Sequence, residues 1–249
     1  MKKVLVTVIM PYYKKKLYFK EAFNSYYNQR LKNKELIIVY DDEDKTELQY
    51  IKKIIRIDKN IRLMINKKNI GAGRSRNKAA KIARGKYLAF LDADDIWTLN
   101  KIKLQLKFMK YNNLQISHTS YSIIDENKNK IGYRKARYCQ TYQNLLNSCD
   151  IGLSSVIIEK NLFLKNKFSK NKTKEDYAAW LKISKKMNIY GLNKDLLLWR
   201  KTKNSLSSNV TQKLKDAIDI YHNKQKFNLF LSVYRVIKLS FNFLIKKYL

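Results

Sequence analysis

The chain has one proline and six glycines in 249 residues, two cysteines, two histidines, and only 20 acids against 53 lysines and arginines. Each shortage excludes something. So little proline and glycine, beside 45% hydrophobic residues, describes an ordinary globular protein and not a Pro/Gly-rich disordered one. Cys139 and Cys149 lack metal-ligand spacing and follow no secretory signal, so reduced intracellular thiols are expected. His118 and His222 stand alone and read as structural. No run approaches the ~20 apolar residues of a membrane span, which points to a protein made and kept in the cytoplasm. The shortage of acids leaves a net charge of +33, which would attract nucleic acid or an anionic membrane surface. The basic residues are nevertheless spread along the whole chain, and Lys, Asn, Ile and Tyr dominate, a bias that an AT-rich genome would produce. A chain of this length buries roughly three quarters of its unfolded surface, enough for one large domain or a domain with an appendage.

Where acids are scarce, a cluster of them stands out. Tyr87 to Leu91 has no helical period and reads as a buried strand, and Asp92, Asp94 and Asp95 follow it directly. A D-x-D at the carboxyl end of a strand suits a hard cation, Mg²⁺ or Mn²⁺, shared with a diphosphate. The plainer reading is a solvated acidic turn that caps the next helix.

The strand Val4 to Met10, halted by Pro11, precedes a helix from Leu17 to Gln29. Leu36 to Tyr40 is a second strand, and it too runs into acids, Asp41 to Asp44. A helix over Glu47–Ile57, a strand over Ile61–Ile65 and a helix over Gly73–Arg84 lead into Tyr87. Strands alternating with helices at this spacing imply βαβ units and a parallel sheet. Ligands bind beyond the carboxyl ends of such strands, so the turn after Met10 and the Asp41 and Asp92 clusters are expected to converge. Gly71-Ala-Gly-Arg-Ser-Arg76 mimics a dinucleotide fingerprint but carries Arg76 where a small residue belongs, which excludes a standard NAD site. It reads instead as a tight helix entry whose amides and arginines either face an anion or stay solvated.

Val6-Thr-Val-Ile-Met-Pro-Tyr, Glu35-Leu-Ile-Ile-Val-Tyr-Asp-Asp, Asn69-Ile-Gly with Ser75-Arg-Asn77, Gly85-Lys-Tyr-Leu-Ala-Phe-Leu-Asp-Ala-Asp-Asp-Ile-Trp97 and Lys174-Glu-Asp-Tyr-Ala-Ala-Trp-Leu-Lys-Ile183 together resemble the successive motifs of family 2 glycosyltransferases. The resemblance runs from about Val4 to about Ser208. It implies an α/β GT-A fold, a Rossmann-like, mainly parallel sheet flanked by helices, and an inverting transfer from a nucleotide-diphosphate sugar with Mg²⁺ or Mn²⁺. Carried over by position, Pro11, Tyr13, Asp41, Asp42, Arg76, Asp92, Ala93 and Asp94 would surround the donor. Among them Asp42 would contact the base, Asp92 the ribose or metal region and Asp94 the metal, and Asp176 would be the catalytic base. Two positions depart from the family: Tyr13 replaces a usual Asn, and Glu43-Asp44 a usual Gly-Ser, and both bear on base and sugar recognition.

In the second half, a helix is expected over Asn100–Asn112, strands over Ile116–Ile124, Ile131–Tyr133 and Gly152–Ile158, and a short helix within Tyr138–Ser148. Thr173 and Asp176 have capping-box spacing at the start of another helix, so Asp176 reads as a cap from the residues alone and as a base from the resemblance. From Phe227 to Tyr248 apolar residues recur at helical spacing among Lys and Arg, a basic amphipathic helix suited either to a membrane interface or to packing on protein.

The expected organisation is a catalytic domain over 1–208, its nucleotide half 1–115 and its acceptor half 116–208, followed by the helical tail 209–249. The expected activity is metal-dependent transfer of a hexosyl or N-acetylhexosaminyl group, from a UDP-sugar, to a hydroxyl of a glycan or lipid-linked acceptor in surface-polysaccharide, lipopolysaccharide or capsule synthesis. The tail would give peripheral contact with the cytoplasmic face of the inner membrane. Two other readings stand beside it. A nucleotidyltransferase would need a Gly-rich, Lys-containing loop near the first strand, and Tyr12 to Lys16 has no glycine. A nucleic-acid-binding protein would show steeply salt-dependent affinity and no turnover.

Overall fold

The computed structural model describes residues 3–55, 60–202 and 209–248. The first half alternates as the sequence predicts: β1 (Val6–Tyr12), α1 (Lys16–Tyr27), β2 (Lys34–Tyr40), α2 (Leu48–Ile55), β3 (Ile61–Ile65), α3 (Ala72–Ile82) and β4 (Tyr87–Phe90). These four strands are parallel, in the order β3-β2-β1-β4. The chain order reverses at β1, and the crevice beyond the carboxyl ends of β1 and β4 is the position where α/β sheets bind ligands.

Period-two alternation divides the sheet between two apolar layers. Ile9, Ile37, Val39, Leu88 and Phe90 join one cluster with α3, and Val8, Met10, Leu36, Ile38, Tyr40 and Ala89 join the other with α1 and α2. Strands buried on both faces in this way need the continuous apolar runs seen in the sequence. Gly85, ahead of β4, lies so close to β1 that a Cβ there would stand 2.5 Å from the Thr7 nitrogen. Its amide donates to Thr7 Oγ1, which in turn donates to the buried Glu35 of β2.

The second half differs in construction. After β5 (Ile96–Trp97) and α4 (Lys101–Tyr111) come β6 (Ile116–Ile124), β7 (Lys130–Arg134), β8 (Cys139–Gln140), α5 (Tyr142–Asn147), β9 (Ile157–Glu159), α6 (Lys160–Lys165), α7 (Glu175–Ser184) and β10 (Ile189–Arg200). They extend the sheet from β4 through β9, β6 and β10 to β5, with β7 on β6 and β8 on β10. β10 is parallel to β6, whereas β9 is antiparallel to both β4 and β6, and β5 is antiparallel to β10. The parallel character therefore belongs to β1 to β4, and the rest of the sheet is mixed. α8 (Val210–Asp219), a π-helical turn over Ile220–Lys224 and α9 (Leu229–Tyr248) follow.

Several expected boundaries move. Pro11 does not end β1, which continues to Tyr12. The β1–β4 ladder stops at Ile9, so on the side where Pro11 lacks its N–H no partner strand asks for one. Gly152–Ile158 is not one strand: Leu153–Ser155 is a 3₁₀ turn and only Ile157–Glu159 pairs. The Ser155 hydroxyl and amide both donate to the Gly152 carbonyl, a local bond that competes with the sheet. The helix within Tyr138–Ser148 is confined to Tyr142–Asn147, capped by Thr141 with Asn144 in a reciprocal box, because Cys139 and Gln140 pair with β10. The last two residues of the expected Glu47–Ile57 helix, and the boundary at 208, lie outside the described residues.

The tail packs with one face. Ser232, Val236 and Leu239 of α9 are buried, and Arg235 and Asn242 donate to Asn147 at 2.9 Å each. Ala217, Ile220 and Tyr221 join the same apolar cluster as α3 and α7. Among the described residues no helix is long and apolar enough to cross a membrane.

Candidate active site

Two carboxylate-bearing segments meet through one arginine. Arg76 on α3 is 4% exposed; its Nη2 donates to Asp92 Oδ1 at 2.5 Å and its Nη1 to Glu175 Oε1 at 3.0 Å. Residues 76, 92 and 175 are far apart in the chain, yet the fold joins the end of β4, the first turns of α3 and the start of α7 in one charged chain. Burial opposes the Arg76 charge, but Asp92 and then Glu175 outweigh it and hold the guanidinium above its ordinary value. Burial raises the Glu175 carboxyl to about 7 against the pull of Arg76, and Asp176 adds to the rise. Gly73 permits this approach, since a Cβ there would stand 2.7 Å from Glu175 Cγ.

α7 is held firmly enough to position its first turn. Trp180 and Leu181 are fully buried, each such side chain contributing roughly 1.5–3 kcal/mol. Trp180 meets Phe168 edge-on at 6.0 Å, and Phe168 meets Phe90 of β4 at 5.3 Å, so an aromatic chain links α7 to the strand that carries Asp92. Tyr177 is fixed by a bond to the Leu145 carbonyl and another to Tyr221 Oη.

The expected capping box at Thr173 and Asp176 does not form. The N-cap is Lys174, in the left-handed region at φ 57°, with no side-chain cap bond. Thr173 instead gives both its amide and its hydroxyl to Asp216 of α8. Asp176 is half-buried, and its Oδ1 accepts from the Tyr177 amide at 2.7 Å. Burial raises its carboxyl above the ordinary range, against that bond and Arg76.

The D-x-D turn is braced from the far end of the chain. Arg200 donates from Nε to the Asp94 carbonyl at 2.9 Å, from its amide to Asp95 Oδ1 at 2.9 Å and from Nη2 to Glu21 Oε2 at 2.7 Å. The third aspartate, Asp95, is therefore structural; burial, then Asp94 and Asp92, push its carboxyl well above the usual range. The Asp94 carboxylate, 14% exposed, pairs with Lys15 at 2.7 Å. Burial raises it despite Lys15, and Asp92 adds to the rise. Two part-exposed carboxylates two residues apart suit a hard divalent cation, which would share them with Arg76 and Lys15. Among the described residues no group of three or more His, Cys, Asp or Glu is arranged to hold a metal, so phosphate oxygens would complete the shell.

The remaining positions lie at or just past the carboxyl ends of β1, β2 and β4. Asp41 is buried at the end of β2, and its Oδ1 accepts from Asn66 Nδ2 at 2.8 Å and from the Ile70 amide at 3.0 Å. Asn66 also donates to Ser75 at 3.0 Å, tying that strand end to α3 beside Arg76. Asp42 is buried and accepts from the Asp44 amide. Pro11 is half-buried, Ala93 buried, and Tyr13 exposed with Lys14 Nζ 5.4 Å from its ring centroid. Sequence reasoning missed Lys15, Arg200 and the structural part of Asp95. In a chain this rich in lysine, Lys15 carries no signal of its own, and Arg200 ends a strand that periodicity did not reveal.

The model of the family described as glycosyl transferase family 2 matches residues 7–178. A UDP-Glc:alpha-D-GlcNAc-diphosphoundecaprenol beta-1,3-glucosyltransferase of Escherichia coli is 35% identical over 87% of this chain and 85% of its own. A putative teichuronic acid biosynthesis glycosyltransferase of Bacillus subtilis is 31% identical over 91% and 90%. Among solved structures, S. aureus TarS 1-349 in complex with UDP superposes with a TM-score of 0.67 at 21% identity, covering 87% of this chain, which spans 64% of that one. A mannosyltransferase of Pyrobaculum calidifontis in complex with GDP-Man and Mn2+ gives 0.67 at 12% identity over 93% of this chain and 69% of its own.

Proposed function

The chain belongs to glycosyl transferase family 2 and has its GT-A fold, and from that premise we propose a metal-dependent, inverting hexosyl- or N-acetylhexosaminyl-transferase that uses a UDP-sugar and a lipid-linked glycan acceptor in surface-polysaccharide synthesis. The observation that carries the reading is the chain of ion pairs from Asp92 through Arg76 to Glu175, which brings the D-x-D turn and the Glu-Asp motif of α7 to one crevice. In this reading the nucleotide half, 1–115, holds the donor through Pro11, Tyr13, Asp41, Asp42, Arg76, Asp92, Ala93 and Asp94. The acceptor half, 116–208, supplies the base. Asp92 and Asp94 hold Mg²⁺ or Mn²⁺, which when bound offsets charge on the diphosphate. Asp176 takes the proton of the acceptor hydroxyl as its oxygen attacks the anomeric carbon. A carboxyl raised by burial is a stronger base than a solvated one, and α7 fixes where it sits. Substitution from the face opposite the nucleotide inverts the centre.

The UDP and lipid assignments rest on the likeness to the E. coli glucosyltransferase, whose name gives both. Nucleotide release from a panel of nucleotide-diphosphate sugars, with Mn²⁺ and then with chelator, tests the reading. Turnover is expected with a UDP-sugar and Mn²⁺. Release from none of the panel, together with salt-dependent binding of DNA or RNA, would favour the nucleic-acid reading instead.

The tail, 209–249, suits a lipid-linked acceptor. Phe230, Tyr234, Ile237, Phe241 and Leu244 form an exposed apolar stripe opposite the packed face of α9, and Phe230 is 87% exposed. α9 has no acid, so its charge favours an anionic surface and opposes pairing with a second copy of itself. The full chain is expected to float with phosphatidylglycerol vesicles and to remain behind with phosphatidylcholine. Ile237→Glu with Phe241→Glu should abolish flotation without unfolding the protein, because both positions lie on the exposed face. An intact chain that stays at the bottom with anionic vesicles would refute membrane contact.

A further inference from the structure

Both carboxylates of the D-x-D turn have a side-chain cation, but the two cations differ in their freedom to leave. Arg76 is buried and bridges Asp92 to Glu175, so moving it would strand two carboxylates as well as a guanidinium. Lys15 holds Asp94 Oδ2 at 2.7 Å and donates to Thr202 Oγ1 at 3.1 Å, with 22% of its side chain exposed. Its backbone is anchored, since its carbonyl accepts from the Tyr18 and Phe19 amides in the first turn of α1. The ammonium at the end of a four-carbon stem is not. The turn itself stays in place without Lys15, because Arg200 grips the Asp94 carbonyl and Asp95.

We propose that Lys15 is a tethered cation that shares the Asp94 carboxylate with the metal of the donor complex and passes to the diphosphate when the donor binds. The proposal rests on the reading of Asp94 as a metal ligand. Lys15 pairs with one oxygen of the carboxylate, Asp94 Oδ2, and a divalent ion with oxygen preference competes with it for the group. Phosphate oxygens that reach a metal at Asp94 also come within range of an ammonium that stands 2.7 Å from that carboxylate. Lys15 would thus compete with the metal and assist the nucleotide, two effects of opposite sign. A lysine that only neutralised the turn would act through its field alone, an effect that salt screens, whereas direct contacts persist in salt.

Two titrations on the full chain separate these cases: Mn²⁺ without nucleotide, followed by electron paramagnetic resonance, and uridine diphosphate in chelator, followed by calorimetry. Lys15→Met is expected to bind Mn²⁺ about tenfold tighter, since both competition and repulsion are removed. It should bind uridine diphosphate about tenfold more weakly, since a charge-assisted phosphate contact is lost. Lys15→Arg should keep the nucleotide affinity, and Asp94→Asn in the Lys15→Met background should cancel the Mn²⁺ gain. Unchanged affinities in Lys15→Met, changes of one sign, or opposite changes that vanish when both titrations are repeated at high salt overturn the proposal while Asp94→Asn still weakens Mn²⁺ in the wild-type background. If Asp94→Asn leaves Mn²⁺ binding intact, the metal reading and the proposal fall together.

Discussion

Asp176→Asn is expected to lower kcat by ~10² to 10⁴-fold while the melting temperature and donor affinity hold. At ~1.4 kcal/mol per tenfold this is about 3 to 5 kcal/mol of transition-state free energy. The fold makes the experiment cleaner than the sequence suggests. Thr173 is held by Asp216 and the N-cap is Lys174, so Asp176 does not close a capping box and its carboxylate is not needed to start α7. Its bond from the Tyr177 amide at 2.7 Å can be accepted equally by the oxygen of asparagine. Asparagine cannot take the proton. Glu175 is the rival base, with a carboxyl near 7, but it is committed to Arg76. Transfer by Asp176→Asn within about threefold of wild type would move the base to Glu175 or elsewhere.

Asp94→Asn should weaken nucleotide diphosphate binding in the presence of Mn²⁺ by ~10²-fold or more, because losing a ligand costs at least what losing a group that merely orients one does. The fold should survive. Arg200 braces the turn through the Asp94 carbonyl and through Asp95, neither of which changes, and the Asp94 side chain pairs with a lysine that is partly in solvent. Calorimetry with uridine diphosphate and Mn²⁺, beside a melting curve, reads both outcomes. Equal affinity in wild type and variant would remove Asp94 from the metal site.

The sequence shows best what depends on local pattern. The apolar runs of β1, β2 and β4, and the helices between them, follow from periodicity, since each strand is buried on both faces and each helix on one. The crevice at the switch of strand order follows from topology alone. What depends on distant partners is hidden. Pro11 reads as a stop, and only the early end of the β4 ladder shows why it is tolerated. Thr173 and Asp176 have the spacing of a cap, but Asp216 of α8 draws Thr173 away. Gly152 to Ile158 has strand composition, yet a serine bond to its own backbone turns the first half into 3₁₀. Asp95 cannot be told from Asp94 by chemistry, and its structural use depends on Arg200, 105 residues on.

The most direct test of the account is the anomeric configuration of the product. An α-configured UDP-sugar that supports turnover, incubated with a lipid-diphosphate glycan acceptor and Mn²⁺, should give a new β linkage, read from the coupling constant of the anomeric proton. An α linkage in the product would contradict single displacement with Asp176 as base, and the absence of any glycosylated product with every donor that is bound would contradict the assignment of transfer itself.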